Sequence, residues 1–215
     1  MIRTLLVDDQ QLVRAGVRML CESTDDIEVV GEAPNGAEAV RLTQTLGPEV
    51  VLMDLRMPGM DGTTATRRIL QTQPSVRIVA LTTFDDDEHL YPVLNAGACG
   101  FLAKDATPAE LVDAIRQAVT GGSPFSNDVL QRLVTQAVAA HRNDSRARPD
   151  LPLTPREREV LRHVGAGRSN ADIAKLMHVG VTTVKTHIAN LMDKTDSPNR
   201  VHLAIFAVRH NLTPG

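Results

Sequence analysis

Five times within the first 120 or so residues, a short apolar run gives way to a stretch with helical periodicity. The runs at about 2–8, 27–33, 49–54, 76–82 and 98–103 read as strands. The segments at about 10–22, 35–46, 62–72, 86–96 and 107–120 read as helices. Strands joined by helices are parallel, because a parallel pair needs a long crossover, and the crossovers cover the sheet. The expected architecture is an α/β doubly wound five-stranded parallel sheet. At its centre stands Val50-Val51-Leu52-Met53-Asp54, an apolar run without alternation. Such a run reads as a strand buried on both faces. It breaks at once into Leu55-Arg56-Met57-Pro58-Gly59-Met60-Asp61-Gly62.

The ends of these strands carry the chemistry. Ligands of open parallel sheets bind beyond the carboxyl ends of the strands. The first run stops at Asp8-Asp9, the third at Asp54, and the last, Gly100-Phe101-Leu102-Ala103, at Lys104. Alone, Asp54 reads equally well as a loop-initiating cap. Together, the acids ask for a cation, since two carboxylates about 4 Å apart repel by roughly 4 kcal/mol at an effective dielectric near 20. Hard oxygen ligands suit Mg²⁺, which keeps waters that a phosphate can replace. A lysine beside them pairs with phosphoryl oxygens. The set fits phosphoryl transfer onto a carboxylate, with Asp54 as nucleophile.

No stretch approaches the 18 to 20 or so apolar residues of a membrane helix, and no signal segment opens the chain, so the cytoplasm is the expected compartment. Cys21 and Cys99 read as buried thiols rather than a disulfide. Charge is uneven. Residues 1–124 carry 10 Lys+Arg against 18 Asp+Glu, a net of −8, and residues 151–215 carry 9 against 5, a net of +4. That split points to one part handling cations and another meeting a polyanion. Helix starts are marked by Thr107-Pro108-Ala109-Glu110, by Asn35-Gly36-Ala37-Glu38 and by Thr154-Pro155-Arg156-Glu157, each with a cap and a Glu placed to bond back. Pro92 falls inside the fourth helix and predicts a bend or a late start near Tyr91. A further helix is expected from Ser126 to about Ala140. His141 to Asp150 has no large apolar residue and reads as a linker.

Beyond the linker, helices are expected at about 155–166, 170–177, 181–194 and 200–210. The second and third, joined by His178-Val179-Gly180, fit a helix-turn-helix. On the third, Val184, Ile188 and Leu191 fall on one side, and Thr182, Lys185, Thr186, Ala189 and Asn190 on the other. Small, polar and cationic side chains suit the floor of a DNA major groove. Arg168, Lys175 and Lys194 are better placed for phosphates, and His187 for a structural role. The competing reading is a helical interaction domain with a solvated face. On the last helix Val201, Ala204, Ile205 and Val208 form a stripe that completes the core or contributes to a two-fold interface.

These motifs together resemble a bacterial two-component response regulator of the NarL/FixJ family. The N-terminal match rests on Asp8-Asp9, on Asp54 with Met57-Pro58-Gly59-Met60-Asp61-Gly62, on Leu81-Thr82-Thr83-Phe84, and on Gly97 to Asp105. The C-terminal match rests on Leu153 to Leu161, Ser169-Asn170-Ala171-Asp172-Ile173-Ala174 and Thr183-Val184-Lys185-Thr186-His187. The resemblance implies a flavodoxin-like receiver at 1–121, a linker with a helix at 122–150, and a LuxR-type helix-turn-helix domain at 151–215. It implies that Asp54 accepts a phosphoryl group from a histidine kinase. Asp9, Asp54 and the Arg56 carbonyl would hold Mg²⁺, with Asp8 acting through water. Lys104 and Thr82 would contact the phosphoryl group, and Phe101 would follow Thr82. The partners implied are the kinase, double-stranded DNA and a second copy, with no membrane. The family pattern often has Ser at Gly180, an acid at Val181 and Pro at Asp105, so the third helix is expected to start with a weaker cap. Two alternatives stand beside this reading. One is a DNA-binding regulator indifferent to phosphate. The other is an Mg²⁺-dependent phosphatase, disfavoured because Arg56 stands where such enzymes carry a second Asp.

Overall fold

The computed structural model describes residues 1–82, 92–124, 152–197, 199–210 and 212. The chain divides into two compact units, Met1–Phe125 and Ser126–Gly215. The first holds β1 (Ile2–Val7), α1 (Gln11–Glu22), β2 (Ile27–Ala33), α2 (Gly36–Leu46), β3 (Val50–Asp54), α3 (Gly62–Thr72), β4 (Arg77–Thr82), β5 (Gly100–Ala103) and α4 (Pro108–Val119). All four strand pairs are parallel, in the order β2-β1-β3-β4-β5. A helical turn covers 92–95, and the Ala96 amide donates to the Pro92 carbonyl at 2.9 Å. The expected start of that helix, the helix at 126–140 and the linker at 141–150 lie outside the described residues.

All five residues of β3 are buried. Its neighbours close both edges and helices close both faces. Leu6, Val50, Leu52, Val79 and Leu81 cluster with Cys21 of α1 and with Leu111, Ile115 and Ala118 of α4. By strand alternation Leu5, Val7, Val51, Met53, Ile78 and Ala80, also buried, face the other way. There α2 and α3 pack against one another. Each fully buried Leu, Ile or Val contributes about 1.5–3 kcal/mol. Cys21 and Cys99 are buried free thiols, and burial pushes each up to about 11.

The capping box at α4 is complete. Thr107 Oγ1 accepts from the Glu110 amide at 3.3 Å, and Glu110 accepts from the Thr107 amide at 2.8 Å. At α2 only half of the expected box forms. Asn35 accepts from the Glu38 amide at 2.9 Å, but Glu38 turns to Arg41 at 2.5 and 2.9 Å. Two bonds from a guanidinium win over one from a backbone amide.

Edge strand β5 is partly covered by the chain itself. The Phe101 amide donates to the Pro124 carbonyl at 2.8 Å. Pro124 lies so close over Gly100 that a Cβ there would meet its ring at 2.2 Å.

The second unit holds α5 (Pro155–Gly165), α6 (Asn170–Met177), α7 (Val181–Lys194) and α8 (Arg200–Arg209). One cluster joins Val160, Leu161 and Val164 to Ile173, Ala174 and Met177, to Val184, Ile188 and Leu191, and to Leu203, Ala204 and Ala207. The expected stripe on α8 is buried at Val201, Ala204 and Ile205, and Leu203 and Ala207, outside that stripe, join it in the core. The line facing this cluster is Leu203, Ala204 and Ala207, while Val201 and Ile205 are buried beside it and Val208 is half-buried. A short helix that is apolar nearly all round has no periodicity to select one face.

Candidate functional site

The parallel register brings the strand ends together. Val7 pairs with Met53, Asp54 with Leu81, and Thr82 with Ala103. Asp8, Asp54 and Lys104 therefore emerge at one edge of the sheet, with the end of β4 between Asp54 and Lys104. The chain leaves β1 for β2 on one side and returns to β3 on the other, so the acids sit at the topological switch point where such sheets bind ligands. Lys104 Nζ lies 2.8 Å from Asp8 Oδ2 and 2.8 Å from Asp54 Oδ2. Both acids are only 2% exposed. Their other oxygens are held by backbone: Gln10 donates to Asp8 Oδ1 at 2.8 Å, and the Arg56 amide donates to Asp54 Oδ1 at 3.2 Å.

Among the described residues, charge in this pocket is incompletely balanced. Asp8, Asp9 and Asp54 each offer an oxygen within 4.8 Å of the others, with Asp9 exposed. Among the described residues, three carboxylates face one ammonium. Apart from that ammonium, the buried Asp8 Oδ2 and Asp54 Oδ2 have no partner among the described residues. Burial pushes the Asp54 carboxyl up from its ordinary value, the Lys104 bond opposes this, and the charge of Asp8 adds to the rise. Burial acts to lower the Lys104 ammonium, but its bonds to Asp54 and Asp8 prevail and raise it. Buried oxygens of this kind, in surplus over cationic partners, fit a divalent cation with hard oxygen ligands.

The loop beyond Asp54 is locked at close quarters. The Gly62 amide donates to the Leu55 carbonyl at 3.1 Å, and a Cβ on Gly62 would stand 2.0 Å from the Asp54 carbonyl oxygen. Asp61 caps α3 by accepting from the Thr64 amide at 2.7 Å.

In the second unit, α6 ends at His178, whose left-handed backbone (φ 52°) turns the chain through Val179 to Gly180. Asn, Asp and His accept that conformation more readily than most residues. Gly180 caps α7 without a side-chain bond, the weaker start that the sequence predicts. Val184, Ile188 and Leu191 are buried, Thr182, Thr186, Ala189 and Asn190 are exposed, and Lys185 and His187 are half-buried. The inward and outward faces match the helical-wheel expectation. Lys175 is exposed and Arg168 half-buried. Arg200 donates to Asn170 Oδ1 at 2.6 Å and to the Arg168 carbonyl, tying the start of α8 to the start of α6.

Residues 4–116 match the model of the response regulator receiver domain, and residues 151–207 match that of the bacterial regulatory proteins of the luxR family. The chain belongs to the two-component response regulators of this receiver-plus-LuxR type. This response regulator is 41% identical over 212 residues to the transcriptional regulatory protein LiaR of Bacillus subtilis (strain 168), with 99% of each chain covered. It is similar to the crystal structure of the response regulator ChrA of a heme-sensing two-component system, at 34% identity and TM-score 0.53 over 98% of each chain. It is also similar to RcsB of Salmonella enterica serovar Typhimurium, solved bound to the promoter rprA in the presence of the phosphomimetic BeF3−. There the identity is 25% and the TM-score 0.57, over 98% of this chain and 100% of that one. Among the described residues, no helix of the response regulator is long and apolar enough to cross a membrane.

Of the receiver residues expected at the site, Asp8, Asp9, Asp54 and Lys104 come together, and Arg56 contributes its amide. Phe101 is buried in β5, paired with Ala80. The Thr82 backbone ends β4, and its side chain lies outside the described atoms. Lys194, expected at a DNA phosphate, is exposed and is also paired within the unit. Its ammonium donates to both Glu157 oxygens, at 2.8 and 2.9 Å, so the end of α7 is bound to the start of α5. Glu157 was legible as a capping residue, and it does accept from the Thr154 amide at 2.9 Å. Its bond to a residue 37 positions away left no local signal.

This pair carries a pH dependence. The Lys194 ammonium first, and then the Thr154 amide, hold the Glu157 carboxyl down at about 2 from an ordinary 4.5. A depressed carboxyl stabilises the folded unit above its unfolded value, and that stability is lost as pH falls from about 4.5 towards 2. Glu157→Gln keeps a residue able to cap but removes the charge. It is expected to lower stability by about 2 kcal/mol at pH 7, and the difference from wild type should shrink as pH falls from about 4.5 and vanish only below about 2. Amide exchange in α5 and α7 across that range measures it. A difference independent of pH would contradict the assignment.

Proposed function

We propose that this response regulator controls transcription by binding double-stranded DNA under the control of phosphorylation at Asp54, with a histidine kinase as donor. An Asp54 oxygen attacks phosphorus, the bond to the kinase histidine nitrogen breaks, and that nitrogen keeps the electron pair. Asp9, Asp54 and the Arg56 carbonyl would hold Mg²⁺, with Asp8 acting through water. The cation, when bound, neutralises charge on the phosphoryl oxygens. Lys104 then exchanges its carboxylate contacts for phosphoryl oxygens, the Thr82 hydroxyl turns to the same group, and Phe101 follows. Contacts made only in the phosphorylated state shift the population towards it. That state favours a homodimer, which sets two α7 helices in successive major grooves. Thr182, Lys185, Thr186, Ala189 and Asn190 meet the bases, and Arg168 and Lys175 meet phosphates. Lys194 acts from behind, by fixing the end of α7.

The observation that supports this reading most is the pair of 2.8 Å contacts from Lys104 to two buried carboxylates on neighbouring strands. The test is to incubate the full-length protein with a labelled small-molecule phosphodonor, with and without Mg²⁺. DNA is then selected from a random pool in either state. Label should appear only with the cation. The selected DNA should carry paired half-sites about ten base pairs apart, recovered more strongly after labelling. Equal recovery despite full labelling would leave a DNA-binding protein that ignores its phosphate. Repeated turnover of a phosphate ester would make it a phosphatase.

A further inference from the structure

Asp9 is the exposed member of the acid cluster, so the direction of its carboxylate depends on the backbone turn that carries it. That turn is gripped at Asp8. The Asp8 amide donates to the Ala33 carbonyl at 3.1 Å, and the Asp8 carbonyl accepts from the Arg14 guanidinium at 2.7 Å. The Asp8 carbonyl and the Asp9 nitrogen share one rigid peptide plane. Whatever holds that oxygen sets the plane from which Asp9 departs.

Arg14 is itself anchored. Its Nε donates to Glu32 Oε2 at 3.0 Å, and its side chain is only 13% exposed. Glu32, near the end of β2, accepts a second bond from Arg18 Nε at 2.6 Å. The Arg18 bond first, and the Arg14 bond after it, hold the Glu32 carboxyl below its ordinary value, so the anchor stays charged. α1 is docked on the sheet by Cys21, Val17 and Leu20 in the core and by the two Glu32 pairs. The bond from Arg14 to the Asp8 carbonyl is additional, and it alone points at the acid cluster.

We propose that Arg14 is a positioning residue for the divalent-cation site, acting through the Asp8–Asp9 peptide; the inference rests on the Mg²⁺ reading above. Mg²⁺ demands near-ideal octahedral geometry, whereas Ca²⁺ accepts irregular sets of oxygens. A carboxylate that swings by a few tenths of an ångström therefore harms Mg²⁺ binding more than Ca²⁺ binding. Residues that orient metal ligands typically change affinity by about 10–100-fold.

The experiment is calorimetric titration of the full-length protein with Mg²⁺ and, separately, with Ca²⁺. Wild type is compared with Arg14→Met, Arg14→Lys and Arg18→Met. Arg14→Met keeps the apolar stem and is expected to weaken Mg²⁺ binding about ten-fold or more, with a smaller loss for Ca²⁺. Arg14→Lys can reach one acceptor but not both, and should fall between Arg14→Met and wild type. It also serves if Arg14→Met does not fold. Arg18→Met removes a Glu32 bond without touching Asp8 and should bind Mg²⁺ as wild type does. The inference is overturned if the Arg14 variants bind Mg²⁺ normally, if both cations weaken equally, or if Arg18→Met shows the same loss. Wild type that fails to bind Mg²⁺ at all would instead remove the reading beneath it.

Discussion

Asp54→Ala should take up no phosphoryl group from any donor, and its DNA affinity should stay at the unphosphorylated level whether or not donor is present. Asp8 is as buried as Asp54 and is held in the same way, its Oδ1 by the Gln10 amide and its Oδ2 by Lys104, so the variant also tests whether Asp8 can stand in for the nucleophile. Asp54→Asn keeps the shape and removes the nucleophile, so it should be equally inert. Both variants also have a stability signature. Burial raises the Asp54 carboxyl above its ordinary 3.8. In the metal-free protein its ionised form therefore opposes folding as pH rises through the interval above 3.8. Asp54→Asn should melt above wild type at pH 7 in the absence of divalent cations. That gain should disappear below pH 3.8, where the carboxyl is protonated in both folded and unfolded chains. Thermal melts at several pH values, read beside the labelling assay, give both results. Retained labelling would move the acceptor elsewhere, and a lower melting temperature at pH 7 would contradict the sign.

Gly62→Ala should damage the receiver almost as severely. The added Cβ would lie 2.0 Å from the Asp54 carbonyl oxygen and 2.9 Å from Leu55 Cα. Both are backbone atoms of the segment that presents the nucleophile, so no flexible side chain can move aside. Overpacking of this kind costs about 3 kcal/mol, which lowers the melting temperature of a domain this size by roughly 10 °C or more. Relief of the clash must shift the β3–α3 loop, and with it the Arg56 amide on Asp54 Oδ1. Phosphoryl uptake should therefore slow even where the protein remains folded. A variant with wild-type melting and labelling would show that this loop yields freely.

What could be read in advance follows a physical division. The alternation of apolar runs with helical segments determined the sheet, because burial on both faces of β3 admits no polar residue before Asp54. The acids and Lys104 were legible because three strand ends in a parallel sheet must share one edge. The α7 face was legible because Val184, Ile188 and Leu191 repeat at helical spacing. The misses are long-range or degenerate. Arg14 lies on the second turn of an amphipathic helix, where an arginine usually means solvent, and nothing nearby announces Glu32 or the Asp8 carbonyl. Lys194 reads as an exposed cation and is one, but its pairing with Glu157 arises only from tertiary packing. On α8 so many residues are apolar that pattern found the buried Val201, Ala204 and Ile205 but could not show that Leu203 and Ala207 are buried as well.

The contact between Pro124 and Gly100 has a practical meaning for anyone cutting this gene. A fragment ended at residue 121 would strip β5 of the Pro124 carbonyl that now occupies the Phe101 amide, baring the flank of an edge strand, and bare flanks recruit neighbours. Carrying the clone through residue 125 keeps that flank shielded by its own polypeptide.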